Sequence, residues 1–542
     1  TAAEMVGETI TLDETGADTG VFTKTVVLNE TDVSVLGNGE LEAIPGDRIT
    51  AFYEDPQGDY GDLEFAREVA LYTRTVVPGG VIGTTIWDVE GSPYLVTGDL
   101  TVSSGASLII EAGVEVLFLA NSDDQSGGQR LSDAELIVKG ALVVEGTEAA
   151  PVVFGSSEAN ARAGDWGGIR VEGGSLSLAY AHLSHSGYGI SADGLSGSGF
   201  VMDHSVITAS GQGIYLGSAS TRAIVLTNNV IEVSSGWAVK LYQEWWNTSS
   251  PVTEVTGNTV TSTNGNGVLL SGHFGGLNLV SNVVRSTGTG IHIESVGGAT
   301  TIASNDVVNV RDYPDGVGIY TYYRGDATPN AAVLVEGNHV EGFSDGMSIY
   351  FEGGDSHSGD VGITANEFLG NRTGLSVKNA VSLTVTDNVV TNTGSNKGIY
   401  VSGSTVSMFS GNVVTSSNQG IYLDSSTVLA FSGNEATGNL TGVRLNNSGV
   451  AGFTGNVISN NSSVGLYVAH SNAELSESFL LEGNDLSGNG TGIELHNYAN
   501  VVVTGNDLSG TGNNYAIANY TSNAIDARYN YWGESETTLL SE

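Results

Sequence analysis

The stretch that decides the fold is FSGNEATGNLTGVRLNNSGVAGFTGN, residues 431–456. A Gly-Asn pair at Asn434 lies near its start and an equivalent pair at Asn456 ends it 22 residues later, with a G-V-x-L segment between them. The same order returns down most of the chain, and from Asn366 onward successive asparagines are 22 to 28 residues apart. A nearly fixed period of this length is the signature of a solenoid in which each repeat forms one coil.

Three short strands per coil account for each repeat. Between the asparagines, apolar residues alternate over short runs separated by Gly, Asn and Ser, which leaves no room for a helix. Stacked coils would lie about 4.8 Å apart, the normal spacing of paired strands. We therefore expect an all-β chain, a right-handed parallel β-helix of about 17–18 coils.

Stacking places equivalent residues of successive coils above one another. The asparagine amides should therefore hydrogen-bond from coil to coil. The structural ladder predicted in this way contains Asn366, Asn388, Asn412, Asn434, Asn456, Asn484 and Asn506. A second motif, G-[I/V/L]-x-[V/L], follows the first six of these asparagines by eight to ten residues. We expect its glycine to supply a positive φ at a corner.

Composition excludes several classes of protein. Sixty acidic residues against 18 basic ones give a formal charge of −42, which argues against a nucleic-acid partner because a polyanion would be repelled. The absence of cysteine removes disulfides and thiolate sites. No run of eighteen apolar residues is present, so no membrane-spanning helix is expected. The chain begins at Thr1 without a signal peptide, which indicates a processed or partial product.

Several segments carry a family resemblance. SPYLVTGDLTVSSGASLIIEAGVEVLF (92–118), PVVF (151–154) and GDWGGI (164–169) resemble the first coils of the right-handed β-helix repeat proteins of bacterial and archaeal surfaces. DARYNYWG (526–533) resembles their usual end. The resemblance implies the fold and an extracellular or cell-surface location, and it does not specify an activity. We expect a linker and solenoid entry over 78–96, the β-helix over 97–533 and a C-terminal tail over 534–542.

Residues 1–77 have a different pattern, with candidate strands that favour a small β-sandwich. DETGADTGVFTKTVVL (13–28) and LEAIPGDRITAFYEDP (41–56) resemble an immunoglobulin-like repeat found in tandem on large prokaryotic surface proteins. The usual first strands are missing from the match. An incomplete sandwich could accept a strand from another chain, so we predict a homo-oligomer or homopolymer joined through this domain. The alternative is that the chain omits the start of a longer protein.

The catalytic clusters of polysaccharide-cleaving β-helices are not evident in the sequence. No Gly-His-Gly occurs, and Asp203, Asp306 and Asp387 stand singly beside the asparagine positions. The basic residues Lys378, Lys397 and Arg444 are expected to be scattered over alternate faces. The sequence therefore predicts that the chain has no catalytic residues and is not an enzyme.

Aromatic residues concentrate in the segments after the G-[I/V/L]-x-[V/L] strand, and several of those segments are lengthened. Because they share one phase of the repeat, they should lie on one side of the solenoid and form an aromatic ledge for a ligand or partner. Its predicted members are Tyr242, Trp245, Trp246, His273, Phe274, Tyr322, Tyr323, Arg324, Tyr350 and Phe351. The alternative is that these side chains fold down to cover a local extension of the core.

One cofactor is considered. Acidic residues that include Asp55, Asp59 and Asp62 bunch in a predicted loop and offer the hard oxygen ligands that Ca²⁺ prefers. No EF-hand or glycine-rich nonapeptide pattern accompanies them. No other cofactor is expected.

The leading hypothesis from the sequence is an extracellular structural protein, a self-assembling filament, stalk or surface-layer subunit built on a rigid β-helix. A glycan-binding adhesin that uses the aromatic ledge is the alternative. A polysaccharide lyase or hydrolase is the third hypothesis.

Overall fold

The structure is a computed structural model that describes residues 7–16, 22–30, 35, 37–55, 64–73, 75–125, 128–192, 194–195, 199–219, 222–243, 251–272, 275–294, 296–311, 313–323, 331–352, 359–392, 396–470, 479–497, 501–510 and 515–533. It divides into a first unit, Thr1–Ser191 with His204–Gly211, and a second unit, Ala192–Asp203 with Gln212–Glu542. Both units contain coils of a parallel β-solenoid. The regular elements of the described residues are all strands.

Most coils contribute one strand to each of three parallel sheets. Some later coils give two short strands to sheet 3, and after Glu435–Thr437 sheet 1 continues as isolated bridges. Sheet 1 follows the asparagine position, sheet 2 contains the G-[I/V/L]-x-[V/L] motif, and sheet 3 leads to the next asparagine. In the first unit, sheet 1 consists of Thr75–Val77, Tyr94–Val96, Glu115–Phe118, Val152–Ser156, Ala181–Ser184 and Val206–Ser210. Sheet 2 consists of Gly80–Ile82, Leu100–Val102, Glu135–Val138, Gly168–Val171 and Tyr188–Ala192. Sheet 3 consists of Thr85–Trp87, Ser107–Glu111, Ala141–Glu145 and Ser175–Ala179.

The second unit repeats this arrangement in its described residues. Sheet 1 consists of Val230–Val233, Thr259–Ser262, Val283–Ser286, Asp306–Asn309, His339–Glu341, Glu367–Leu369, Val389–Thr391, Val413–Thr415 and Glu435–Thr437. Sheet 2 consists of Gln212–Ala219, Gly236–Gln243, Gly265–Ser271, Ile291–Glu294, Val317–Tyr323, Asp345–Phe351, Thr373–Lys378, Lys397–Ser402, Gln419–Asp424, Thr441–Asn446, Val464–Ala469, Thr491–His496 and Ile517–Asn519. Sheet 3 consists of Phe200–Asp203, Ile224–Thr227, Thr253–Thr256, Leu277–Val280, Thr300–Ala303, Val333–Glu336, Val361–Thr364, Leu383–Thr386, Thr405–Ser410, Thr427–Val428, Phe431–Ser432, Gly449–Val450, Phe453–Thr454, Phe479–Glu482 and Val501–Thr504.

The core of each unit is the space enclosed by the three sheets. Side chains alternate inward and outward along every strand, so the periodic Ile, Val, Leu and Phe residues are buried. In the second unit, Phe409, Phe431 and Phe453 stack on successive coils with ring centroids 5.0 and 4.6 Å apart. Parallel pairing in register therefore turns a sequence repeat into continuous columns of like residues.

An asparagine ladder runs through the second unit at the turn between sheets 3 and 1. Asn434 is typical, because its Nδ2 donates to Asn456 Oδ1 at 3.0 Å and to the Phe409 carbonyl at 3.0 Å. Its Oδ1 accepts from the backbone N–H and the Nδ2 of Asn412. The same side-chain bonds link the predicted members Asn366 to Asn506 and extend the column back to Asn229 and on to Asn530. These bonds satisfy polar groups at a buried turn.

The glycines of the G-[I/V/L]-x-[V/L] motif have a role different from the one expected. The residue before each ladder asparagine has the positive φ instead, such as Gly433 at 63° and Asp387 at 57°. At Gly442, a β-carbon would lie 2.6 Å from Asn461 Nδ2 and 2.8 Å from the Gly465 carbonyl oxygen. This glycine is therefore required by the close approach of the next coil and not by its backbone angle, which corrects the prediction.

The N-terminal segment does not confirm an immunoglobulin-like sandwich. Its described strands form three separate pairs: Asp13–Glu14 with Phe22–Thr23, Val27–Asn29 with Glu40–Glu42, and Arg48–Asp55 with Glu64–Leu71. The solenoid begins earlier than expected, because Thr75–Val77 already pairs with Tyr94–Val96. The segment 78–96 that was predicted to be a linker and solenoid entry therefore carries strands of the first coils. The joining role of the N-terminal domain stays a prediction, and residues 534–542 lie outside the described part.

Within the described residues, no helix has the length and apolar character needed to cross a membrane.

Candidate functional site

Part of the predicted aromatic ledge lies on the outer face of sheet 2 in the second unit. Tyr242, Tyr322 and Tyr350 occupy outward positions and are half-buried. The Tyr322 and Tyr350 rings stack with centroids 5.6 Å apart, and Lys240 Nζ lies 5.1 Å from the Tyr242 ring centroid. Five further members lie outside the described residues, namely Trp245, Trp246, His273, Phe274 and Arg324.

Two predicted ledge residues belong to the core. Tyr323 and Phe351 are only 5% and 1% exposed, and their rings stack with centroids 4.9 Å apart inside the coil. The reason is the alternation of the strand, which turns Tyr322 outward and the next residue inward. For these two positions, the interpretation as an extension of the core is the correct one.

The remaining predicted sites are not assembled in the described residues. Asp59 and Asp62 of the predicted calcium site lie outside them, and Asp55 is described only as the end of the strand Arg48–Asp55. In the described part of the chain, no group of three or more histidines or acidic residues is arranged to hold a metal ion. The calcium site stays a prediction.

The three single aspartates also remain apart. Asp203 accepts a hydrogen bond from Thr227 Oγ1 at 2.6 Å, and Asp306 forms an ion pair with Arg285 at 2.5 Å. Asp387 is exposed at the turn before its ladder asparagine. Each aspartate has a local position on a different coil, so they form no shared site.

A cluster of ionisable residues that sequence analysis missed lies on the outer face of sheet 2 in the first unit. Register places Glu135 opposite Gly168, Thr101 opposite Ile137, and Ile137 opposite Arg170. Asp99 immediately precedes the strand Leu100–Val102 and is therefore level with Glu135 of the next coil. Asp99, Thr101, Ile137 and Arg170 line a depression of about 310 Å³, together with Gly80, Val81, Gln125, Gly128, Lys139 and Glu172.

Asp99 is the central group of this depression. Its side chain is only 4% exposed. Oδ1 accepts the Glu135 backbone N–H at 2.8 Å, whereas the buried Oδ2 has no hydrogen-bond partner in the described structure. A β-carbon on Gly128 would overlap Glu135 Oε2 and would lie 2.8 Å from Asp99 Oδ2, so this glycine lets the loop backbone close over both carboxylates.

The surroundings of Asp99 raise the pKa of its carboxyl group toward neutral pH. Burial raises the pKa of Asp99 from 3.8 to about 6, against the lowering effect of the Glu135 N–H. The negative charges of Asp123 and Glu135 add to the rise, and the positive charge of Arg170 opposes it. Desolvation together with like charge is the usual way in which a carboxyl group becomes a proton donor at physiological pH.

Cationic side chains border the same depression. Arg170 and Lys139 both contact the Glu172 carboxylate, at 2.9 and 3.3 Å. Both cations line the same depression as Asp99, where they can hold a polar or negatively charged group of a ligand. The depression therefore combines a proton donor with binding groups, the combination expected of an acid–base site.

Residues of this site share a recognisable pattern in the sequence, but the pattern does not recur at a fixed interval. Asp99-Leu-Thr-Val and Glu135-Leu-Ile-Val have the same alternation, with an acid before the first buried residue. They are 36 residues apart because the intervening coil carries a long loop. Without a regular period, nothing in the sequence indicates that these two acids share a level.

Three family models match parts of the chain. The right handed beta helix region matches residues 167–340, the pectate-lyase like beta helix domain matches residues 80–194, and the periplasmic copper-binding protein family NosD matches residues 309–475. No curated protein matches the chain. A crystal structure of a mutant of the periplasmic alginate epimerase AlgG is similar over 83% of this chain and 84% of that chain, at 12% identity and a TM-score of 0.23, which is too low to carry an argument.

These matches confirm the β-helix and correct one expectation about function. The prediction that the chain is not an enzyme is wrong, because a model of a pectate-lyase like domain matches the segment that contains Asp99, Glu135 and Arg170. The role as a filament, stalk or surface-layer subunit has no support in the comparisons.

Proposed function

Because the chain is a right-handed parallel β-helix repeat protein, we propose that it modifies a polysaccharide and that Asp99 is the acid of that reaction. The observation that carries this proposal is the buried Asp99 carboxyl group, with one oxygen unpartnered and a pKa of about 6, beside a ligand-sized depression. The match of residues 80–194 to a pectate-lyase like domain supports a polysaccharide as the substrate.

The proposed step is proton donation to the glycosidic oxygen that leaves the sugar. In hydrolysis water bonds to the anomeric carbon and loses a proton to solvent, and in elimination a ring carbon loses a proton as a C=C bond forms. In both reactions the glycosidic C–O bond breaks and the leaving oxygen takes up a proton, which a carboxyl group of raised pKa supplies. The Glu135 N–H holds Asp99 Oδ1, which leaves Oδ2 as the oxygen that carries the proton. Because Oδ2 is buried, donation requires the carboxyl group to turn toward the depression. Arg170 and Lys139 would orient the sugar by hydrogen bonds to its hydroxyl or carboxylate oxygens.

We also propose that the protein works outside the cytoplasm, in the periplasm or extracellularly. The match to a periplasmic family over residues 309–475 supports this location at a coarse level. Polymeric glycans accessible to a secreted protein would be its substrates.

The test is an activity screen against neutral and uronate-containing polysaccharides. New reducing ends report hydrolysis, and the ultraviolet absorbance of unsaturated uronates reports elimination. We expect Asp99→Asn to lower the rate on an active substrate by about 100-fold or more, because a positioned proton donor contributes at least that much. Asp387→Asn makes the same chemical change on an exposed turn and should leave the rate unchanged.

The pH profile gives a second readout. A general acid with a pKa of about 6 is protonated at lower pH, so the wild-type rate should fall as pH rises through about 6. The proposal would be overturned if Asp99→Asn retained the wild-type rate and profile. It would equally fail if the purified protein modified no polysaccharide in the screen.

A further inference from the structure

Lys378, Lys397 and Arg444, which were expected to be scattered, belong to one group of residues on sheet 2 of the second unit. Tyr400, Tyr422, Arg444 and Tyr467 are paired in register on four successive coils. Lys397 and Lys378 lie beside the first of these tyrosines. We refer to these six residues as the tyrosine–cation ladder.

Each cation of the ladder lies against an aromatic ring. Lys397 Nζ is 3.8 Å from the Tyr400 ring centroid and 5.0 Å from that of Tyr422. The Arg444 guanidinium carbon is 4.5 Å from the Tyr467 centroid and 5.5 Å from that of Tyr422. Lys378 Nζ is 5.9 Å from the Tyr400 centroid. Five of the six side chains are half-buried, with Lys378 exposed, so the ladder is an ordered surface.

The charge of the ladder is opposite to that of the molecule. The chain has 60 acidic and 18 basic residues. In the described part of the structure, Lys378, Lys397 and Arg444 have no carboxylate within the 4.0 Å of an ion pair. Arg444 Nε has no hydrogen-bond partner there. Three cations without ion-pair partners on one strip of a strongly acidic protein indicate a site for an anion.

The neighbouring charges support the same conclusion. Burial lowers the pKa of Lys397, and the positive charges of Lys378 and Arg444 lower it further. Asp345 and Asp424 oppose this effect, but Asp424 Oδ1 already accepts Asn446 Nδ2 at 2.7 Å. A bound anion would relieve the repulsion among the three cations.

We propose that the tyrosine–cation ladder binds an anionic polysaccharide, with uronate carboxylates on the cations and sugar rings on the tyrosine faces. Successive coils are about 4.8 Å apart, which is close to the length of one sugar along an extended chain, so successive coils can contact successive sugars. Tyrosine presents a rigid face with a polar tip, which suits sugar rings. Arginine offers the paired donors that match a carboxylate.

This site is separate from the Asp99 depression and does not depend on its activity. Binding is measured by isothermal titration calorimetry of the full chain with a polygalacturonate oligomer, and with a neutral glucan oligomer of equal length as the control ligand. We expect the uronate oligomer to bind, the glucan oligomer to bind at least tenfold more weakly, and added salt to weaken uronate binding. The titrations are made in an Asp99→Asn background, so that the oligomer is not cleaved during the measurement and failure of the proposed activity does not affect the result.

Variants locate the site. Arg444→Gln and Lys397→Gln should each weaken uronate binding about tenfold or more, the loss expected for one charge-assisted contact. Arg528→Gln changes the net charge equally at a position 73% exposed on its side chain and should bind normally. Lys378→Gln, at an exposed position, tests the ladder if either of the first two variants fails to fold. Wild-type affinity in all folded ladder variants, or equal affinity for both oligomers, would overturn the proposal.

Discussion

Replacing Asp99 by asparagine should make the protein more stable above pH 6 while it removes the proposed proton donor. The folded-state pKa of about 6 lies above the ordinary value of 3.8, so between these values the folded state keeps a proton that the unfolded state has lost. The contribution of Asp99 to stability is therefore most favourable below pH 3.8. It declines as pH rises and is fully lost above pH 6.

The size of the effect follows from the shift. A shift of about two pKa units corresponds to ~3 kcal/mol at most. The polar groups and solvent of the depression screen the charge, so we expect Asp99→Asn to gain about 1–2 kcal/mol at pH 8. Linkage leaves about half of that gain at pH 5, because pH 5 lies inside the window in which Asp99 titrates. The amide oxygen of asparagine can still accept the Glu135 N–H, so the substitution preserves the one hydrogen bond seen at Oδ1.

The assay is thermal unfolding, followed by circular dichroism, of the wild type, Asp99→Asn and the control Asp387→Asn at pH 5 and pH 8. Asp99→Asn should unfold at a higher temperature than the wild type at pH 8, with a smaller difference at pH 5. The control should differ from the wild type by the same small amount at both values. A lower midpoint for Asp99→Asn at pH 8, or a difference that does not change with pH, would refute the argument that Asp99 is a destabilised, protonatable carboxyl group.

Two further predictions concern the fold and the cofactor. Asn434→Ala removes a side chain that bonds to Asn412, Asn456 and the Phe409 carbonyl, and it should lower the free energy of unfolding by about 3 kcal/mol because buried polar groups lose their partners. Asn446→Ala, which loses one half-buried bond to Asp424, should cost about 1 kcal/mol or less in the same denaturant titration. If calcium binds at Asp55, Asp59 and Asp62, millimolar Ca²⁺ should raise the unfolding temperature and a chelator should reverse the rise, whereas an unchanged midpoint would remove the site.

The tyrosine–cation ladder could have been found in the sequence. Tyr400, Tyr422, Arg444 and Tyr467 all occupy the x position of G-[I/V/L]-x-[V/L], and they recur at the interval of the repeat. The x position alternates with buried neighbours and therefore points outward. Lys397 comes from a different position of its coil, so its place over the Tyr400 ring could not be inferred from spacing.

The predicted aromatic ledge shows that the position of a residue within the repeat does not by itself determine whether its side chain is exposed. Tyr322 and Tyr323 share the same phase of the repeat, yet one is on the outer face and the other is in the core. A difference of one residue reverses the side of a strand. The position of a residue within the repeat therefore indicates on which side of the coil it lies. Only the register of its strand decides whether its side chain is on the surface or in the core.

The sequence by itself determined the parallel β-helix, because a period of about 22 residues and its asparagines act locally and identically in every coil. Each coil needs only its neighbours, so a local pattern is sufficient to specify the stack. The Asp99 site was decided by the tertiary structure alone. Asp99, Glu135 and Arg170 come from coils of unequal length, and the raised pKa of Asp99 arises from burial and from the charges of Asp123 and Glu135. The burial of Asp99 and its proximity to residues at irregular distances along the sequence arise only in the folded chain, so no residue pattern predicts them.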